Sequence, residues 1–241
     1  MATYKDIHGF KIQNVSSDPP APFNGQVWYN STTGNLRAKA SVSVQAWSTA
    51  NAMNTARAGL TGFGTQTAAI AANGDTYPPA TGRYGNAAEE YNGSSWTTTA
   101  NVPFATFATP GAGSQTAAII FGGNGPSGLN TTAEYDGSSW TAGGDLIGPK
   151  TNQGGAGTQT AALSFMGAFP TTASVVTTTE GYDGSAWSTR PSASTARRTL
   201  GSAGSSTAAL GFGGYTGAKS AVTEEFTGET TAVNVKTLTS S

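Results

Sequence analysis

The sequence predicts an all-β chain of repeated four-stranded antiparallel modules, and three observations carry that prediction. The first is a strict internal spacing: counted from a Trp, a Gly follows at +17, Thr-Ala-Ala begins at +20, Ile or Leu stands at +23 and Gly at +27. Segments starting at Trp47, Trp96, Trp140 and Trp187 all obey it, with Thr67, Thr116, Thr160 and Thr207 opening the tripeptide. The Trp-to-Trp steps are 49, 44 and 47, and all the variation lies after the last Gly. A rigid half and an elastic half in every unit is what stacked supersecondary modules with unequal loops produce. The second observation is a recurring turn, Tyr91-Asn92-Gly93, Tyr135-Asp136-Gly137 and Tyr182-Asp183-Gly184, each leading into a Trp. The third is composition: 33 Gly, much Thr, Ser and Ala, and 10% charged residues suit short strands with tight turns.

Taken in order, residues 1 to 24 read as an attachment arm. Ile7, Phe10, Ile12 and Val15 offer a short strand, and Asp18-Pro19-Pro20-Ala21-Pro22 then interrupts regular structure because proline fixes φ and lacks a donor. The arm carries too little apolar surface to order itself, so it is expected to lie on a partner or on another copy of the chain. From Gly25 the sequence turns to short β segments: Gln26–Asn30, a turn at Ser31–Gly34, Asn35–Lys39, and Ser41–Trp47 with period-two alternation. This meander is either a shortened first blade or a separate attachment hairpin.

In each later unit the Thr-Ala-Ala-(Ile/Leu) run is a buried strand whose small residues let neighbouring sheets approach, with Thr116–Gly123 the clearest case. Another strand fits between Trp and Thr. The Asn-Gly or Asp-Gly hairpin follows the variable loop, and its central residues are expected to take positive φ. Each unit is therefore a four-stranded meander. A fifth hairpin, Glu224–Thr231, puts Thr231 where the Trp belongs, and residues 232 to 238 alternate as a final strand.

Composition excludes several classes. The chain has no cysteine, so no disulfide or thiolate metal site exists. A net charge of −1 with no basic run removes the footprint of a nucleic-acid or acidic-membrane binder. No stretch is apolar for the roughly 18 residues a span needs, and residues 1 to 20 lack a secretory pattern, so synthesis in the cytoplasm is expected.

Gly-rich second strands, Tyr-Asp-Gly turns and the Trp after them resemble the Kelch-like β-propeller family over residues 42 to 238. The pattern departs from the standard Kelch repeat: the Gly-Gly doublet stands at Gly122-Gly123 and Gly213-Gly214, while Asn73-Gly74 and Met166-Gly167 replace it elsewhere. The Ser-Ser-Trp-Thr and Gly-(Thr/Ser)-Gln-Thr-Ala-Ala wording looks like the version found in phage structural proteins. Residues 23 to 36, Phe23-Asn24-Gly25-Gln26-Val27-Trp28-Tyr29-Asn30 and onward, look like a segment of phage tail and fibre proteins. The resemblance implies a propeller of five blades with the first incomplete, or of four with the first meander outside, closed by residues 232 to 238 near the N-terminal strands. It also implies a virion structural protein made in the host cytoplasm, bound to other virion proteins through its arm. A homo-oligomer is expected, a trimer if the chain belongs to a fibre.

The regular spacing gives the Trp residues one shared packing role between blades. Arg57, Lys150 and Arg197 each fall ten residues after their Trp, with Thr106 as the exception, and are expected to pair with the repeated Glu90, Glu134, Glu180 and Glu225. No catalytic set, metal site or cofactor is expected. His8 is the sole histidine and lies in the arm, and the acids recur at repeat intervals, leaving Asp75, Asp145 and Asp183 as candidates for a glycosidase pair. Binding candidates sit on the elastic loops: Tyr77, Arg83 and Tyr84 beside Asp75, then Asn124 and Asn130, Phe169, and Tyr215 with Lys219. Aromatic faces beside amides suit a host-surface glycan or a protein partner. The alternative to a virion protein is a stand-alone carbohydrate-binding or carbohydrate-active propeller.

Overall fold

The computed structural model describes residues 12–40, 46–77, 83–126 and 130–228, and the chain divides into two compact units, Met1–Thr49 and Ala50–Ser241. The described residues contain strands and turns and no helix.

In the first unit β1 (Gln13–Val15) pairs in parallel with β2 (Val27–Asn30), which pairs antiparallel with β3 (Asn35–Ala38). The β2–β3 hairpin is the one expected. Part of the arm is ordered after all, because Asp18 anchors it: Trp28 Nε1 and Asn30 Nδ2 each donate to its carboxylate at 2.9 Å, and Arg37 pairs with it. The hydrogen bonds from Asn30 and Trp28 hold the Asp18 carboxyl below its ordinary range. Trp28 is thereby buried although its neighbours on β3 are exposed. Of the third strand expected over residues 41 to 47, residues 41–45 lie outside the described residues, as does the expected closing strand over residues 232 to 238.

Among the described residues the second unit holds four antiparallel sheets, the blades of a β-propeller. Blade 1 comprises β4 (Thr61–Thr65), β5 (Ala68–Gly74), β6 (Gly85–Tyr91) and β7 (Trp96–Thr99). Blade 2 comprises β8 (Gly111–Ser114), β9 (Ala117–Phe121), β10 (Thr132–Tyr135) and β11 (Trp140–Ala142). Blade 3 comprises β12 (Gly154–Thr158), β13 (Ala161–Phe165), β14 (Thr179–Tyr182) and β15 (Trp187–Arg190). Blade 4 shows β16 (Gly201–Gly204), β17 (Ala208–Phe212) and β18 (Thr223–Thr227), and residues beyond 228 lie outside the described set. The Trp therefore opens the last strand of a blade, and the sequence unit that begins at Trp straddles two blades.

The spacing has a steric cause. The Gly at +17 takes φ near 110°, as at Gly113 with φ 114°, and a Cβ there would lie 2.1 Å from the Ala117 carbonyl oxygen. No L side chain fits that hairpin. The Asn/Asp-Gly turn is longer than expected: Tyr135 pairs with Trp140, leaving residues 136 to 139 as the loop. Only its Gly takes positive φ, because Asp136 Oδ1 accepts from the Ser138 and Ser139 N–H groups at 2.8 and 2.7 Å and closes the turn itself.

The core lies between blades. One cluster joins blades 1 and 2 through Ile70, Val102, Ile120, Tyr135 and Trp140, with Phe63 against it. A second joins blades 2 and 3 through Ile119, Phe121, Leu146, Tyr182 and Trp187, and a third joins blades 3 and 4 through Leu163, Phe165, Met166 and Ala209. Each such aliphatic or aromatic side chain contributes about 1.5–3 kcal/mol. Trp140 and Trp187 are buried and Trp96 is half-buried, each packed at a tilt against the Tyr five residues before it, with ring centroids 4.8, 5.1 and 5.1 Å apart. Trp47 departs from this packing role and stands fully exposed. In the sequence Val42 stands where the other units carry Tyr, so this unit lacks the residue that supplies the partner ring. The four Thr residues act alike: each packs where the turn Gly of its own blade (Gly93, Gly137, Gly184 or Gly228) leaves room, within 3.0–3.6 Å of a Cβ on that Gly.

Candidate functional site

Two sets of polar groups recur, one inside the blades and one at a rim. Inside, Arg57 Nη2 lies 2.7 Å from Glu89, Lys150 Nζ 2.9 Å from Glu180 and Arg197 Nη2 2.8 Å from Glu224. All three cations are buried. The second carboxylate oxygen pins the connector entering the blade: the N–H groups of Asn54, Ile147 and Ser194 donate to Glu89, Glu180 and Glu224 at 2.7, 2.7 and 2.6 Å. Burial lowers the pKa of Arg57 and Lys150 while the carboxylate opposes it.

This corrects the expected partners in two blades. The acid two residues before the aromatic binds the cation, so Glu89 and Glu224 do so where Glu90 and Glu225 were expected. The signal was present in the sequence. In blade 2 the cation position holds Thr106 and the matching acid position holds Ala133, so both charges vanish together.

The acid one residue before the aromatic serves the neighbouring blade instead. Tyr135 Oη donates to Glu90 at 2.9 Å across the first junction, and Tyr182 Oη donates to Glu134 across the second. Burial first, and the Glu134 carboxylate second, push the Tyr182 hydroxyl up to about 12, so it remains a donor. At the third junction Phe226 and Gly181 occupy the two positions, and neither group exists. A cleft of about 310 Å3 opens there, with Met166, Ser192, Ser194, Glu224 and Phe226 in its lining.

The rim is built by the loops that join the second and third strands of each blade. Short bridges extend the first hairpins at Ala58 with Asp75, Phe107 with Asn124, Thr151 with Ala168 and Arg198 with Tyr215, which puts these positions at one edge. Arg83 pairs with Asp75 at 3.1 Å and lies 5.3 Å above the Phe107 ring, on which Tyr84 stacks at 5.8 Å. Arg198 lies 5.3 Å above the Tyr215 ring. Tyr77, Phe169 and Tyr215 are exposed. The structure thus brings Arg83 and Tyr84 together around Phe107, a residue the sequence reading passed over, and pairs Tyr215 with Arg198, also passed over. Asn130 is engaged elsewhere, because its amide donates to the Leu146 carbonyl at 3.2 Å, as Asn86 does to Val102. Among the acids considered for hydrolysis, Asp75 holds Arg83 and Asp183 closes a turn through Ser185 and Ala186. Among the described residues no three His, Asp or Glu side chains converge.

Arginine and aromatic side chains in contact at the rim offer polar and apolar groups side by side, which suit a sugar ring or an aromatic side chain of a partner. No family model and no curated protein matches this chain.

Proposed function

We propose that this chain is a non-enzymatic structural protein of a bacteriophage particle. In this reading it is displayed on tail, fibre, neck or capsid, is fixed through residues 1 to 24, and presents the blade rim to a host surface or a neighbouring subunit. The observation that carries the proposal is a division of labour. The buried acids and bases hold blades and connectors, whereas the rim carries arginine and aromatic groups with no part in the blade cores. A rigid scaffold with variable loops at one edge is suited to binding. The tail-fibre wording of residues 23 to 36 supports attachment to a particle.

The test is incorporation. The full chain should copurify with particles, and a chain lacking residues 1 to 24 should remain in the soluble fraction of the lysate. A free carbohydrate-binding propeller is the second reading, favoured by the exposed Tyr77, Phe169 and Tyr215. That protein would bind host polysaccharide equally well without residues 1 to 24 and would be missing from washed particles.

A further inference from the structure

Consecutive blades are joined by a recurring set of contacts, one present at all three junctions and two at the first and second, and the outer faces of blades 1 and 4 carry the two halves of a further set. The Gly74 N–H donates to the Thr106 carbonyl, Gly123 to Lys150 and Gly167 to Arg197, at 2.9, 2.9 and 2.7 Å. Gly214 is the equivalent donor in blade 4 and the Arg57 carbonyl the equivalent acceptor in blade 1; neither has a partner among the described residues. The same holds for the tyrosine-to-glutamate bond. Tyr91 matches Tyr135 and Tyr182, and Glu225 matches Glu90 and Glu134, yet the Tyr91 hydroxyl and the Glu225 carboxylate meet no partner among the described residues. A third bond follows suit. The Gln115 amide donates to the Ala69 and Tyr91 carbonyls and Gln159 to the Tyr135 carbonyl, while Gln66, in the same position of blade 1, is exposed and unpaired among the described residues.

Shape agrees with the polar groups. The Phe121 ring fills the space left by Gly155 on the first strand of blade 3, within 3.1 Å of a Cβ placed there; at the next junction Ser202 stands in the Gly155 position, and the Phe165 ring lies instead within 3.1 Å of a Cβ placed on Gly211 of the second strand. Phe212 is their counterpart in blade 4 and is 42% exposed, against 0% for Phe121 and 5% for Phe165. Gly62, the counterpart of Gly155 in blade 1, has only its own Ile70 carbonyl nearby, at 3.6 Å. One face thus offers a knob, an N–H donor and a carboxylate; the other offers a hole, a carbonyl acceptor, a hydroxyl and an amide. At the junction of blades 3 and 4 the tyrosine and its glutamate are both missing, so a junction can lose the pair as a unit. Here both members are present on faces that meet no blade among the described residues.

We propose that blade 4 of one copy of this chain docks against blade 1 of a second copy, using the contacts that join consecutive blades. Tyr91 of the second copy donates to Glu225 of the first, Gln66 to the Ala209 and Phe226 carbonyls, and Phe212 of the first seats on Gly62 of the second. The contact is heterologous, so copies joined at both ends form a ring. Two copies supply four plus four blades, within the roughly 4–8 blades that propellers contain.

The absence of cysteine makes the test direct. Full-length chains carrying Gly62→Cys and Phe212→Cys separately are mixed and treated with a short bis-maleimide, and the parent is sedimented over a concentration series. The expected result is a cross-linked two-chain species formed only in the mixture, and a parent that sediments above its one-chain mass of 24.2 kDa. Phe212→Asp alters an exposed side chain and should weaken association by at least about tenfold; Tyr91→Phe and Glu225→Gln should each weaken it by about fivefold. A parent of one-chain mass at every concentration overturns the proposal. So does a chain bearing both cysteines that cross-links only within itself.

Discussion

Blade 2 and blade 3 have the same strands and turns, yet one is held by a buried ion pair and the other has no charge in that place. In blade 3, Lys150 and Glu180 face each other at 2.9 Å and the Ile147 N–H completes the carboxylate's partners. In blade 2 the three corresponding positions hold Thr106, Ala133 and Pro103. Proline has no N–H to give, so acid, base and donor have been replaced as one unit. Thr106 instead donates to the Asn124 carbonyl at 2.8 Å, and Pro103 restricts the connector through its fixed φ. The comparison teaches that the blade needs its connector pinned, and that a buried ion pair is one of two ways to do so. A buried pair need not stabilise more than a well-packed neutral replacement, whereas half of one destabilises strongly.

The largest expected effect tests that statement. Glu180→Ala alone should cost about 3–5 kcal/mol, because Lys150 is left buried without its partner. Lys150→Thr with Glu180→Ala should recover most of the loss, and adding Ile147→Pro should bring blade 3 to the chemistry of blade 2. Urea unfolding of the three variants measures the series. If the double variant is as unstable as the single one, the ion pair is required in blade 3 and the equivalence of the two blades fails.

Part of this was legible in advance and part was not, for identifiable reasons. Hairpin sterics act over a few residues, so Gly64, Gly113, Gly157 and Gly204 announce themselves by spacing. The same is true of Asp136 and Asp183, whose partners lie two and three residues away. The ion pairs span 27 to 32 residues, and in blade 1 two adjacent glutamates, Glu89 and Glu90, compete for the assignment. On a strand, neighbours face opposite sides, so choosing between them decides whether the acid binds its own blade's cation or the next blade's tyrosine. Only the joint loss at Thr106 and Ala133 resolves the register. The Arg83–Phe107 and Arg198–Tyr215 contacts at the rim obey no repeat, and spacing gave no access to them.

A second comparison sets the middle junction against the last. Tyr182→Phe should cost about 1–1.5 kcal/mol, since it removes a hydrogen bond to a charged acceptor that is partly buried. Phe226→Tyr at the equivalent place in blade 4 should change stability by less than about 0.5 kcal/mol, because Gly181 offers no carboxylate. The middle junction also has an alkaline signature. The Tyr182 pKa is raised in the folded state, so its contribution is complete below pH 10 and is lost as pH climbs toward about 12. Tyr182→Phe should flatten that part of the stability profile, and Phe226→Tyr should leave it unaltered.

The smallest effect separates turn chemistry from blade packing. Asp136 and Asp183 accept N–H groups from the residues that follow them, which holds both carboxyls below the ordinary value of 3.8. A depressed carboxyl stabilises the fold above its unfolded pKa, and the contribution falls away as pH drops from about 4 through the folded value. Both groups are exposed, so the loss is local. Asp136→Asn can still accept the turn N–H groups but cannot titrate, as Asn92 already does in blade 1, where it accepts from Ser94 and Ser95 at 2.9 Å. The protection of the Ser138 and Ser139 amides, taken relative to intrinsic exchange at each pH, should therefore fall as pH drops below about 4 in the parent and stay level in Asp136→Asn, with the amides of blade 1 as the internal reference. An equal loss of protection in both proteins would mean that acid acts through the blade interior and that the turn merely follows.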